Sequence, residues 1–324
     1  MTPSSSHLLS FGEAMALFVA DAPGPLVEVG NFHRRLAGAD NNVAIGLARL
    51  GFPVRWLSRV GTDSLGAYIR QALEAEGVDC RYLLDDAAHS TGLMFKARAV
   101  DGADPAVEYY RRASAASHMS TADADRVGMQ GLKHLHATGI TPALSEGCRQ
   151  LSVHLMKEAR QHGASISFDP NLRPSLWRDE QEMRETLNAL AALSDWVMPG
   201  LAEGRLLTGR DSAEDIAAFY MDLGVRAVII KLGPQGSYYR GTLNGRDEQF
   251  TVPGFEVDEV VDTVGAGDAF AVGVISALLD GRSIREAVLR GNLLGSQAVT
   301  VIGDMEGLPD RQLLAALEAH HAAC

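Results

Sequence analysis

The chain alternates short apolar, β-branched runs with longer stretches that repeat at helical spacing. VRWLSRV at Val54–Val60 reads as a strand; Asp63 then caps a helix running to about Glu76, where Gly77 stops it. A strand at His134–Thr138 precedes a helix at Glu146–Gln161, ended by Gly163. Strands at Ser165–Asp169 and Trp196–Met198 flank a helix at Glu180–Leu193. A helix at Ser212–Leu223, stopped by Gly224, leads into a buried strand, AVIIK at Ala227–Lys231. Strand followed by helix, repeated in this way, predicts an α/β fold with a mostly parallel sheet covered on both faces.

Two stretches break the rhythm. Met15–Leu36 and Thr91–Arg112 alternate apolar and polar residues with no helical stripe. VEVGNFHRRL and TGLMFKARAV…AVEYYRR predict half-buried antiparallel strands. Separated by an α/β block, they can pair into a small sheet beside the main one, with one wet face suited to a lid or a subunit interface.

Composition narrows the class. Of 324 residues, 46% are hydrophobic and 22% charged, which excludes a disordered or fibrous chain. That length holds two domains or one large α/β domain with an appendage. The net charge of −12 comes with no run of Lys or Arg, so no nucleic-acid surface is expected. The longest apolar stretch, Ala269 to Leu279, is about half of the ~20 residues that span a bilayer. The N-terminus has no basic segment followed by a long apolar core. Cys80, Cys148 and Cys324 are far apart and form no CxxC, as expected for reduced thiols in a cytoplasmic protein.

The sharpest chemistry lies in DTVGAGDAF, Asp262–Phe270. Gly265, Ala266 and Gly267 leave backbone amides uncovered just before an apolar helix, read here as Asp268–Leu279. Uncovered amides and the helix dipole favour an anion at that point. Asp268 stands beside it, placed to accept a proton, a combination suited to phosphoryl transfer onto a hydroxyl. A glycine turn capped by an acid is the structural alternative. The segment is not a dinucleotide fingerprint, since Phe270 replaces the third glycine, and no GxxxxGK[ST] occurs. A second glycine cluster, LAGADNNVA at 36–44, precedes a helix read as Val43–Leu50. Gly38 and Asn42 there can present backbone and amide groups to sugar hydroxyls, or form a turn with a capping Asn.

Together these segments resemble the ribokinase-like (PfkB) carbohydrate kinases over nearly the whole chain. FGEAM at 11–15 is similar to the family's first strand and turn. AGADNNVAIGLARLG at 37–51 and DTVGAGDAF are similar to its two signatures, and GTDSLG (61–66) and EGVD (76–79) to intervening phrases. The resemblance implies a three-layer α/β sandwich of about residues 1–324, with a β-lid from about 13–36 and 91–112. It implies Mg²⁺-ATP as donor, a sugar as acceptor, Asp268 as base, and Gly265, Ala266 and Gly267 as anion hole. A homo-oligomer paired through the lid also follows from it, and a monovalent cation such as K⁺ is left open.

Two segments, EYYRRASAAS at 108–117 and DPNLRPSLW at 169–177, look like those of 2-keto-3-deoxygluconate kinases. If the chain stays extended, Asp169, Asn171 and Arg173 share one side at a strand's carboxyl end, where such sheets bind ligands. Arg173 offers a planar fork for a carboxylate, with Tyr109 and Arg111 of the lid opposite. KLGPQGS at 231–237 resembles the family's nucleotide loop, which implies roles for Lys231, Gly233 and Gly236; Asn292 falls on the helix the family lays near the adenine. Glu203 is implied as an indirect metal ligand through water. Three positions depart from the pattern: Gly200 where Asn is usual, Ala37 for a glycine, and Met94 for a tyrosine. The expected acceptor is 2-keto-3-deoxygluconate at its terminal hydroxyl. A ketohexose kinase acting on tagatose or fructose is the alternative, and a non-catalytic sugar- or nucleotide-binding regulator a remoter one. His134 and His136 share a strand face as zinc ligands do, but no third ligand lies nearby.

Overall fold

The computed structural model describes residues 6–98, 106–243, 245–301 and 303–322. Cys324 and the 99–105 portion of the expected lid lie outside them. Thirteen described strands run in chain order: β1 (His7–Phe11), β2 (Met15–Pro23), β3 (Phe32–Ala37), β4 (Val54–Gly61), β5 (Asp79–Asp86), β6 (Leu93–Arg98), β7 (Val107–Tyr110), β8 (Leu132–Thr138), β9 (Ser165–Asp169), β10 (Trp196–Val197), β11 (Ala227–Lys231), β12 (Ser237–Gly241) and β13 (Glu248–Val252).

Nine form one sheet, in the order β13-β12-β11-β10-β9-β8-β1-β4-β5, parallel except for the β12 and β13 hairpin. Side chains alternate between two apolar layers. Leu8, Trp56 and Ile229 pack with the helices Ala39–Arg49, Ala266–Leu279 and Ile284–Ala298; Leu9, Phe168 and Ile230 pack with Glu146–Gln161 and Glu180–Ala191. The helix Ala266–Leu279 is buried almost all round, which accounts for its lack of a polar face. Strand order reverses direction between β1 and β8, and open α/β sheets bind ligands beyond the carboxyl ends of strands at such a point.

The second sheet runs β3-β2-β6-β7. Both irregular stretches enter it as expected, but its central pair, β2 with β6, is parallel. The sequence VEV is not a strand: Leu26–Glu28 is a 3₁₀ turn and the strand begins at Phe32, because Pro23, Gly24 and Pro25 interrupt the ladder. Two helices begin earlier than their patterns suggested. The first starts at Ala39, so Asn41 and Asn42 lie in its first turns rather than at its cap. The other starts at Ala266, which puts Asp268 inside its first turn. In both the N-cap is a glycine with positive φ, Gly38 or Gly265, a cap that no side-chain pattern marks. His320 and His321 belong to the last turn of the helix Arg311–Ala322.

Candidate active site

The carboxyl ends of the central strands converge on one cavity of ≈ 520 Å³. Glu13 follows β1, Ile140 follows β8, Asn171 and Arg173 follow β9, Glu203 follows β10 and Lys231 ends β11. The small sheet roofs it with Met15, Met94, Lys96, Val107 and Tyr109, one face of the alternation. Gly38, Asn42 and the loop 263–268 complete the wall. Behind that loop lies a second, largely apolar cavity of ≈ 330 Å³, lined by Gly233, Gly236, Phe255, Val260, Phe270 and Asn292 among others. Lys231, Thr263 and Gly267 line both cavities, so the two meet at the glycine loop.

That loop depends on Gly265. Its φ is +82°, and a β-carbon there would collide with the Asp304 carbonyl. Asp268 is 7% exposed; its Oδ2 accepts from Asn42 Nδ2 at 2.8 Å and its Oδ1 from Asn171 Nδ2 at 3.3 Å. Burial raises its pKa to about 7, with Asn42 opposing and the Asp169 and Asp304 charges adding to the rise. A carboxyl so tuned sits between its two protonation states near neutral pH, as a general base should.

The DPNLR strand does not stay extended. β9 ends at Asp169 and Asn171 takes φ +38°, which turns its amide onto Asp268. Asp169 does not line the cavity: it is buried beneath, accepting from Lys231 Nζ at 2.7 Å and from the Asn171 backbone N–H at 3.1 Å. Burial pulls the Lys231 ammonium down, but Asp169 and Glu203 outweigh it and hold its pKa above the ordinary value. Lys231 thus stays charged below the glycine loop.

At the opposite end Tyr109, Arg111 and Arg173 share the cavity wall. Arg111 Nη2 is paired with Glu13 Oε2 at 2.6 Å, and Glu13 also accepts from the Ser114 hydroxyl. Arg173 has no acid partner among the described residues; its Nη1 bonds only the neighbouring Leu172 carbonyl. Glu203 caps its own helix through Gly200 N at 2.7 Å and receives Leu172 N at 2.7 Å. The glycine at position 200 therefore leaves Glu203 in place. Asn292 lines the apolar cavity, with its amide occupied by the Ser237 hydroxyl and the carbonyls of Val252 and Pro253. It holds the hairpin wall in place rather than presenting a free amide.

Three acids and a lysine escaped the sequence reading. Asp40 is buried in the cavity wall; its Oδ2 receives the Thr138 and Thr141 hydroxyls at 3.0 and 3.3 Å, while its Oδ1 has no partner. Burial raises its pKa to about 7. Asp304 and Lys96 also line the cavity, and Glu13 anchors Arg111. The one available signal was Lys96, a charge two residues from Met94 on the alternating face of a strand. His134 and His136 bond Ser165 and Ser167, burial lowers both pKa values to about 3, and the described residues hold no cluster of three metal-ligating side chains.

An apolar slot and a polar pocket joined at a helix-opening glycine loop, with a buried carboxylate on the polar side, define a phosphotransferase acting on a hydroxyl. The chain matches the pfkB family carbohydrate kinase model over residues 5–311 and belongs to that family. It is 51% identical to the 2-dehydro-3-deoxygluconokinase of Bacillus subtilis (strain 168), over 95% of this chain and 94% of that one. It is 31% identical to fructokinase-1 of Oryza sativa subsp. japonica, over 95% and 96%. Among solved structures, the PfkB protein from Polaromonas sp. JS666 superposes with a TM-score of 0.88 at 49% identity, over 96% of this chain and all of that one. A putative ribokinase II from E. coli in complex with ATP and Mg²⁺ gives 0.87 at 29% identity, over 98% and 100%. No described helix is long and apolar enough to cross a membrane.

Proposed function

We propose that this carbohydrate kinase transfers the γ-phosphoryl group of ATP to the terminal hydroxyl of 2-keto-3-deoxygluconate, in the cytoplasm. Asp268 takes the hydroxyl proton as the sugar oxygen bonds phosphorus; the bond from phosphorus to the bridging oxygen breaks and ADP leaves with that electron pair. The amides of Gly265, Ala266 and Gly267 and the charged Lys231 receive the transferring group's oxygens. Gly233 and Gly236 border the slot for the nucleotide. Mg²⁺ would be held indirectly, through water, by Glu203, which lines the pocket. When bound, the metal offsets phosphate charge.

The observation that carries the sugar-acid reading is the unpaired Arg173 guanidinium, facing the same cavity as Asp268. Arg173 is solvent-exposed at this end of the cavity, and a carboxylate gives its planar fork a counter-charge that a neutral ketose does not. The identity to a named 2-dehydro-3-deoxygluconokinase supports the same choice. The unpartnered Oδ1 of Asp40 accepts a sugar hydroxyl in this reading. Met94 in the roof favours the ketohexose alternative, since sulfur is a poor substitute for a phenol's hydrogen bond. A panel of ketoacids and ketoses, assayed by ATP consumption, tests the assignment: a higher kcat/KM for fructose or tagatose overturns it.

The lid's outer face carries a ring cluster, Phe18 and Phe32 each 5.2 Å from Phe95, and Tyr110 at 5.8 Å and 58% exposed. A second copy of this chain, paired lid to lid, is the occupant this face fits. Phe95→Asp should leave a monomer in light scattering where the wild type is a dimer.

A further inference from the structure

Lys96 is an anomaly in the roof. It lies on lid strand β6, is 4% exposed, and reaches across to two acids of the kinase floor. Its Nζ is 2.6 Å from Asp262 Oδ2 and 3.6 Å from Asp304 Oδ1. Both acids belong to the phosphate loop's framework. Asp262 Oδ1 accepts from Val264 N at 3.1 Å, and its Oδ2 from Gly303 N at 3.4 Å, so this carboxylate shapes the turn into Gly265. Asp304 supplies the carbonyl against which Gly265 packs. Asp262 also pushes the Asp304 pKa upward, behind the dominant effect of burial and the opposing effect of Lys96.

Without the lysine, two buried carboxylates would face each other next to a loop that must receive phosphate oxygens. Both the repulsion between them and their effect on an incoming anion would be large in a site shielded from water. Among the described residues, the cation paired with these two acids comes from the lid. We infer that Lys96 is a positioning residue for phosphoryl transfer: the lid delivers the cation that makes the glycine loop fit to hold phosphate, so the loop is competent only when the roof is seated. Phosphoryl transfer is thereby tied to a covered sugar cavity, which guards ATP against water.

The inference rests on the reading of residues 263–268 as the phosphate loop with its base. The test uses whichever acceptor, ketoacid or ketose, gives wild-type turnover, so a wrong substrate does not disturb it. Loss of turnover in Asp268→Asn checks the loop separately. Lys96→Met should lower kcat by about 100-fold or more while the sugar KM changes by less than about threefold, because the ammonium is held by the two loop acids and acts through the loop. Folded Lys96→Met with kcat within about threefold of wild type overturns the inference. Lys96→Ala, prepared and assayed in ethylammonium, is the second variant. Turnover should recover at least about tenfold over the same ionic strength of tetramethylammonium, which is too large for the vacated slot. A structural role alone gives no such difference, and its absence overturns the inference, including where Lys96→Met fails to fold.

Discussion

Asn42 donates to the Asp268 carboxylate at 2.8 Å, joining the first turns of two helices that are 226 residues apart in the chain. The bond aims the carboxylate and favours its ionised form, opposing the burial that raises its pKa. The family's two signature segments thus meet at one proton.

In the proposed mechanism, Asp268→Asn removes the base and keeps the shape. Turnover should fall by about 10²–10⁴-fold, the usual worth of a positioned base. Nucleotide binding, followed with a fluorescent ATP analogue, should stay near wild type, because the glycine loop and the apolar cavity are untouched.

With Asp268 as the proposed base, its pKa of about 7 sets an acid limb on activity. Below that pH, kcat/KM should drop about tenfold per unit as Asp268 takes up a proton. Asn42→Ala removes the hydrogen bond that lowers this pKa, so the limb should move to higher pH. An unmoved limb in a pH–rate profile would assign it to another group.

Arg173→Ala should cost the sugar acid about 1.5–3 kcal/mol in kcat/KM, the worth of a charge-assisted hydrogen bond, and leave neutral ketoses nearly unchanged. Equal losses for both classes would place Arg173 on the phosphates instead.

Asp40 links the pocket to stability. Its folded pKa, about 7, lies above the unfolded value near 3.8, so the native state holds a proton that the unfolded chain has lost. Its contribution is greatest at low pH and declines as pH rises through about 7, where the buried carboxyl ionises. Asp40→Asn should therefore raise Tm at pH 8 by at least about 2 °C more than at pH 5, by calorimetry. The same variant should raise the sugar KM.

Excess chelator should abolish turnover, since amides and one lysine leave most of the phosphate charge uncompensated. Added Mg²⁺ should restore it.

Much of this was legible in the sequence because the central parallel strands are short segments between turn and helix signals, some of them uniformly apolar as in AVIIK. Ala227–Lys231 and Ser165–Asp169 are buried on both faces and have the bounds their composition suggests. The glycine loop was legible for a similar reason: its chemistry is local, three small residues and an acid. What stayed hidden is non-local or conformational. Asp40 in a helix's first turn looks like any surface acid, and it is buried against Thr138 at the end of β8 and Thr141 at the start of the short helix Thr141–Leu144. Asp169 fits a ligand-facing position until Lys231 arrives from β11 to claim it. Asn171 reaches Asp268 only because its backbone adopts a conformation that strand alternation cannot foresee.

The small sheet is stitched together at β2 and β6, where Leu17 lies beside Met94 in parallel register. One strand leaves the chain just after β1 and the other just after β5, so neither can find its neighbour until β1, β4 and β5 stand side by side. Such distant pairing is slow to form, and a sheet held to the body at few points opens before the body does. The roof should thus assemble last during folding, and its amides should exchange with solvent ahead of those in β8 and β9.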